Sequence, residues 1–191
     1  IRIVHEISSS LDNRCATLAC FFDLSKAFDR VSHEGLLQKL TYYKVGGQVL
    51  DWLTTYLTHR RQRVRVNSAY SDWLPLPAGV PQGSVLGPLL FVIYTADLVP
   101  NVHAAPALRC NQFADDTALI AFDSTIHGAR STLQPAVNDT HQWLCTWRLQ
   151  VNASKTCTLL FSRAAHTQDE YRPITHGDQQ LSNCTTQRHQ I

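Results

Sequence analysis

The side chains best suited to chemistry in this 191-residue chain are carboxylates. Asp115 and Asp116 stand together in Phe113-Ala114-Asp115-Asp116-Thr117, with Ala107-Leu108 and Cys110 before them and Ala118-Leu119-Ile120-Ala121-Phe122 after. That pattern predicts strand, tight turn and strand, with the acids at the turn. Aspartate is a common turn residue, so an Asp-Asp turn alone is ordinary turn chemistry. A third acid changes the prospect. Ala16 to Asp23 is a continuous apolar run ending on Asp23, the pattern of a strand buried on both faces. Such a strand delivers its last side chain to the sheet edge with little freedom, which suits a metal ligand.

A second kind of chemistry lies in Arg60-Arg61-Gln62-Arg63-Val64-Arg65-Val66. As a strand, this segment puts Arg61, Arg63 and Arg65 on one face and Val64 and Val66 on the other. Two readings stand side by side: a solvated edge strand protected by charge, or three guanidinia matched to a phosphate backbone.

The elements that must position these groups follow from pattern. Residues 1 to 13 predict a helix. Ser32 is an N-cap for a helix from His33 to Tyr43, stopped by Gly46-Gly47. The next helix, 48 to 58, carries Val49, Trp52, Leu53, Tyr56 and Leu57 at helical spacing, which predicts a core face. Asn67-Ser68 turns the arginine strand back toward Trp73-Leu74. Gly79 to Gly83 is a loop, and Val85 to Tyr94 a buried helix. Ile126 to Trp147 is helical in pattern but contains Pro135; a mid-helix proline costs about 3 kcal/mol, which predicts two helices or a kink. Leu149-Val151 and Thr158-Phe161 predict a hairpin around Asn152 to Lys155.

Three blocks, in this order, carry a resemblance: Phe22-Asp23-Leu24-Ser25-Lys26-Ala27-Phe28-Asp29, Gly79-Val80-Pro81-Gln82-Gly83-Ser84, and Phe113-Ala114-Asp115-Asp116. Together they resemble the palm of a reverse transcriptase of the non-LTR, LINE-like retrotransposon kind. The likeness extends through Trp143 to Phe161, with Asn152 and Lys155-Thr156, and runs from about residue 5 to residue 163. It implies an α+β polymerase palm with an antiparallel sheet, helices packed on one face, partial fingers and no thumb. It implies RNA-directed DNA polymerase activity, a nucleotidyl transfer with two divalent ions, Mg²⁺ or Mn²⁺, about 3.5–4 Å apart. Asp23, Asp115 and Asp116 would hold the metals and be catalytic, and Lys155 would be general acid for pyrophosphate or else a solvated surface lysine. Leu24, Phe28, Gln82 and Gly83 would meet the incoming nucleotide. Phe28 matches the sugar gate that excludes a 2′-hydroxyl, against a plain reading as core packing; Asp29 serves capping or local hydrogen bonding. The implied partners are an RNA template, a DNA primer and deoxynucleoside triphosphates, with Arg61, Arg63 and Arg65 on the nucleic acid.

Composition bounds the rest. A hydrophobic fraction of 44% supports a core, and a formal charge of +2 is too small to argue for nucleic acid. The six cysteines form no Cys-x-x-Cys pair, which argues against a zinc ribbon or redox motif. The longest apolar run, Val85 to Ala96, is too short to span a membrane. The chain has no Met and reads as a fragment, a palm over 1–163 with a poorly ordered, Gln-, His- and Thr-rich tail over 164–191. Such a chain alone is expected not to be a processive polymerase. Two other classes stay open: an idle or domesticated nucleic-acid-binding remnant, and a group II intron maturase-like polymerase. As a retroelement product it would act inside the cell, in nucleus or cytoplasm.

Overall fold

The protein is described by a computed structural model over residues 2–98, 107–163 and 173–183. In chain order the elements are α1 (Arg2–Asp12), β1 (Ala16–Phe22), α2 (His33–Tyr42), α3 (Gly47–Leu57), β2 (Arg61–Gln62), β3 (Arg65–Val66), β4 (Ala69–Tyr70), β5 (Leu74–Pro75) and α4 (Leu86–Thr95). Then follow β6 (Leu108–Phe113), β7 (Asp116–Asp123), α5 (Ile126–Thr146), β8 (Cys157–Phe161), β9 (Thr175–His176), β10 (Gln179–Gln180) and β11 (Ser182–Asn183). The chain packs as two compact units: Ile1–Ser25 with Leu98–Thr146 and Gln150–Ile191, and Lys26–Asp97 with Trp147–Leu149.

The first unit is a five-stranded sheet in the order β11-β8-β1-β7-β6. β1 is its central strand, antiparallel to β7 from Ala16↔Asp123 to Phe22↔Thr117 and antiparallel to β8 from Thr17↔Phe161 to Phe21↔Cys157. Only β11 runs parallel to its neighbour. Alternation sends Leu18, Cys20 and Phe22 of β1 and Leu119 and Ala121 of β7 to one face, where they pack with Ala129, Leu133, Ala136 and Val137 of α5. Thr17 alternates to the opposite face and its hydroxyl donates to Ser10 Oγ of α1 at 2.7 Å. β1 is therefore buried on both sides, as its unbroken apolar run predicts.

Three expectations within this unit change. α5 runs unbroken through Pro135. The two-helix alternative is thereby excluded: Pro135 and Ser131 are exposed, so water can satisfy the carbonyl that proline leaves free, and the buried face of Leu133 and Val137 holds the one helix on the sheet. Val151 does not pair with β8; it bridges Leu24, because β8 has the longer β1 as partner. Residues 173–183 of the expected disordered tail are structured. β9 and β10 form a short hairpin whose flanking Ile174 and Leu181 join the α5 core, and β11 adds to the sheet. Two isolated apolar residues give no period to read, yet both are buried. The remainder of the tail lies outside the described residues.

In the second unit, Ser32 Oγ accepts from Gly35 N as the cap of α2. α2 ends before the glycines: Lys44 takes the left-handed conformation, Gly46 is the N-cap of α3, and Gly47 is its first residue. The core is carried by Leu36, Leu40, Leu53, Leu57, Leu90 and Phe91, and it encloses one buried cation. Lys39 is buried, pairs with Asp97, donates to Tyr94 O, and lies 3.7 Å from the Trp147 ring. Burial pulls its pKa below the usual lysine value, against the opposing pull of Asp97. The predicted core face of α3 is only half a core: Leu53 and Leu57 are buried, while Val49 and Trp52 are 58% and 55% exposed.

Among the described residues the cysteines are free thiols, and no helix is long and apolar enough to cross a membrane.

Candidate active site

Asp23, Asp115 and Asp116 lie toward one end of the first unit's sheet. β6 and β7 are joined by the tight turn Ala114-Asp115, closed by the pair Phe113↔Asp116. Ala114 has φ 54°, a left-handed conformation that non-glycine residues rarely adopt and that often marks functional sites. The β1–β7 register ends at Phe22↔Thr117, and Asp23 and Asp116 are the adjoining residues of those two chain segments. Residues that face each other across antiparallel strands point to the same side of the sheet. The pairing of β1 with β7 thus carries Asp23 to the end of the sheet where the Asp115-Asp116 turn lies, although 92 positions separate Asp23 from Asp115 in sequence (115 − 23). Asp23 and Asp115 are half-buried and Asp116 is exposed.

Asp23 has a fixed backbone. Its N–H donates to Thr156 Oγ1 at 3.1 Å, and its carbonyl accepts from Asn152 N at 2.7 Å. Asn152 also starts the turn carrying Lys155: its carbonyl accepts from Lys155 N and Thr156 N, and its Oδ1 accepts from Ser154 Oγ. Lys155 is exposed and Thr156 fully buried. The roles of Asn152 and Thr156 escaped the sequence reading, though both stand beside Lys155 in the resembling segment. Leu24 is buried and bridges Val151, so it can offer a ligand only its backbone.

By donor chemistry alone, the acids suit a hard divalent cation. They offer carboxylate oxygens at the edge of a rigid sheet, and Mg²⁺ is commonly bound by one or two carboxylates, with substrate phosphates and water completing the shell. Among the described residues no three His, Cys, Asp or Glu side chains, Asp23, Asp115 and Asp116 included, come together as a group that could hold a metal ion. A cavity of about 430 Å³ (lined by His5, Glu6, Arg109 and Asp123 among others) lies at the Asp123 end of the sheet, away from the carboxylates.

The other nominated residues belong to the second unit. Phe28 sits in a single 3₁₀ turn, half-buried, stacked on Phe91 at 4.7 Å between centroids. The Gly79–Gly83 loop is tied to that turn: Val80 N donates to Phe28 O, Gly79 N to Val31 O, and Gln82 Nε2 to Asp29 Oδ1 at 2.9 Å. A Cβ on Gly79 would come within 3.0 Å of Asp29 backbone atoms, so glycine is required for the approach. Gln82 and Gly83 are exposed, with Gly83 at φ 77°. Arg61, Arg63 and Arg65 do not form one face of a strand. Arg63 and Val64 lie between the two-residue strands β2 and β3, and Val64 and Val66 are as open to water as the arginines. No layer covers this hairpin, so alternation has no buried face to select. The turn at Asn67 is where the sequence places it.

A family model described as reverse transcriptase (RNA-dependent DNA polymerase) matches residues 2–187. A probable RNA-directed DNA polymerase from transposon BS of Drosophila melanogaster is 38% identical over 171 residues, covering 84% of this chain and 18% of the relative. The RNA-directed DNA polymerase from mobile element jockey of Drosophila funebris is 33% identical over 168 residues, covering 85% of this chain. The chain thus spans 18% of the length of these relatives. A solved structure of apo telomerase from Candida Tropicalis, truncated from the C-terminal domain, superposes with a TM-score of 0.64 at 14% identity. It covers 87% of this chain and 35% of that one, and the likeness is one of fold.

Proposed function

Because this chain belongs to the reverse transcriptase (RNA-dependent DNA polymerase) family, we propose that it is the palm of a LINE-like element's RNA-directed DNA polymerase. The observation that supports the reading is the β1–β7 register, whose last pair, Phe22↔Thr117, precedes Asp23 on one strand and follows Asp116 on the other, beside the left-handed Ala114-Asp115 turn. Asp23 and Asp115 would hold Mg²⁺ or Mn²⁺, with Asp116 beside them. Bound divalent ions would stabilise the attacking and leaving oxygens of nucleotidyl transfer.

The chain's own residues orient and select. Thr156 and Asn152 fix the Asp23 backbone, so its carboxylate is presented without reorganisation. Lys155, on the same turn, supplies a proton to departing pyrophosphate. As the family resemblance implies, Phe28, which stacks on Phe91, would close the space a 2′-hydroxyl needs, and Gln82 and Gly83 would meet the nucleotide. The partners are an RNA template, a DNA primer and deoxynucleoside triphosphates, and the reaction takes place inside the cell, in nucleus or cytoplasm.

The test is primer extension on an RNA template. DNA products that need a divalent ion and vanish with Asp115→Asn are expected, and Phe28→Val should raise ribonucleotide incorporation. Incorporation that survives Asp115→Asn would contradict the site. No incorporation by the wild-type chain, with nucleic-acid binding intact, would favour the idle remnant.

A further inference from the structure

Every residue from 61 to 75 is exposed. This stretch holds Trp73, 48% exposed, and Tyr70, 51% exposed, together with Val64, Val66 and Leu74. A two-stranded hairpin is marginal by itself in water, and so much uncovered apolar surface marks an interaction site. The rings are interleaved with cations. Arg63 lies between them, its guanidinium carbon 4.0 Å from the Tyr70 centroid and 4.6 Å from that of Trp73. Arg65 approaches Tyr70 at 5.5 Å and Arg61 approaches Trp73 at 6.0 Å. At the end of α3 the motif repeats: Trp52 stacks on Tyr56, and Arg60 lies over Tyr56 at 5.2 Å.

The occupant follows from charge and shape together. Residues 60 to 75 carry four arginines and one acid, Asp72, so the partner is anionic. Planar rings braced by planar guanidinia favour a partner with flat π-faces. In a duplex those faces are stacked away, whereas in a single strand they are open. We propose that the hairpin of residues 61–75 binds single-stranded nucleic acid, with Tyr70 and Trp73 stacking on unpaired bases and Arg61 and Arg65 pairing with the flanking phosphates. Arg63 holds the two rings apart as a spacer. The inference rests on the polymerase reading only in taking nucleic acid as the substrate; it keeps a phosphate role for Arg61 and Arg65 and gives Arg63 a different one.

The experiment is fluorescence anisotropy of the whole chain with a labelled twelve-nucleotide single strand and the matching duplex, over a range of salt. The single strand should bind tighter. Trp73→Ala and Tyr70→Ala should each weaken single-strand binding by about tenfold and leave duplex binding unchanged. Arg63→Lys keeps the charge but loses the plane, and should behave like the ring variants. Arg61→Ala should lower the salt slope by about 0.7 on the single strand. These substitutions lie outside the core, and unchanged thermal unfolding checks that. If the ring variants bind like wild type while Arg61→Ala weakens both ligands, stacking is overturned and the phosphate role survives. If no substitution matters, the hairpin is not a nucleic-acid site, whatever primer extension shows. Tighter duplex binding, or self-association abolished by Trp73→Ala without nucleic-acid binding, would also overturn the proposal.

Discussion

Asp23 and Arg63 are both charged groups beside strands, and they are held by opposite means. Asp23 follows β1, a strand paired on both edges and buried on both faces. Its backbone is pinned at the N–H and at the carbonyl. Arg63 stands between strands of two residues each, uncovered on both sides, and its neighbours are two aromatic rings. Buried register specifies position strongly, because a one-residue slip would turn Leu18, Cys20 and Phe22 out of the core. The hairpin has no such constraint, so its geometry can adapt to a ligand. A catalytic carboxylate needs the first arrangement, and a surface that accepts varied bases is served by the second.

The contrast can be broken by stability measurements, and the largest effect should come from the sheet. Leu119→Ala, in the fully buried centre of β7, should cost about 2–5 kcal/mol in denaturant unfolding. Val66→Ala in the hairpin should change stability by less than about 0.5 kcal/mol. Equal costs would mean that the hairpin is packed as firmly as the sheet.

A finer effect is expected at Thr156. Replacing it with valine keeps the volume but leaves the Asp23 N–H without its partner, a loss of about 1–3 kcal/mol. Divalent-ion binding should weaken with it, since Asp23 loses its orientation. Full stability and unchanged metal affinity would remove the clamp from the account.

The smallest effect concerns the β9–β10 hairpin on α5. His141 Nδ1 and His176 Nε2 are 3.1 Å apart. Burial, with the neighbouring His141, holds the His176 pKa down to about 4 from an ordinary 6.5. The folded state therefore binds fewer protons than the unfolded chain between these values. Stability from this contact is complete above pH 6.5 and is lost as pH falls toward 4. His176→Gln should flatten part of the decline in Tm between pH 6.5 and 4. An equally steep decline would place the acid sensitivity elsewhere.

The strands and the turn that carry the candidate acids were legible in the sequence, for identifiable reasons. Asp23 and the Asp115-Asp116 turn are bracketed by apolar strands whose burial leaves few alternatives, and the three blocks fall in the family order. Less was legible where the deciding contact is distant in sequence or rests on isolated residues. Thr156 caps a backbone amide 133 positions away. Ile174 and Leu181 bury without periodicity around them. Pro135 forecasts a break that docking on the sheet overrides. The arginine alternation assumed a covering layer that is not there, so the aromatic partners Tyr70 and Trp73 could not be read from it.

The central claim is that Asp23 and Asp115 hold a divalent ion on this sheet edge. Calorimetric titration of the chain with Mn²⁺ tests it most directly, comparing wild type with Asp115→Asn and with Asp178→Asn, an exposed acid in the β9–β10 turn. The expected result is binding about tenfold or more weaker for Asp115→Asn and unchanged for Asp178→Asn; equal binding by all three proteins would contradict the site.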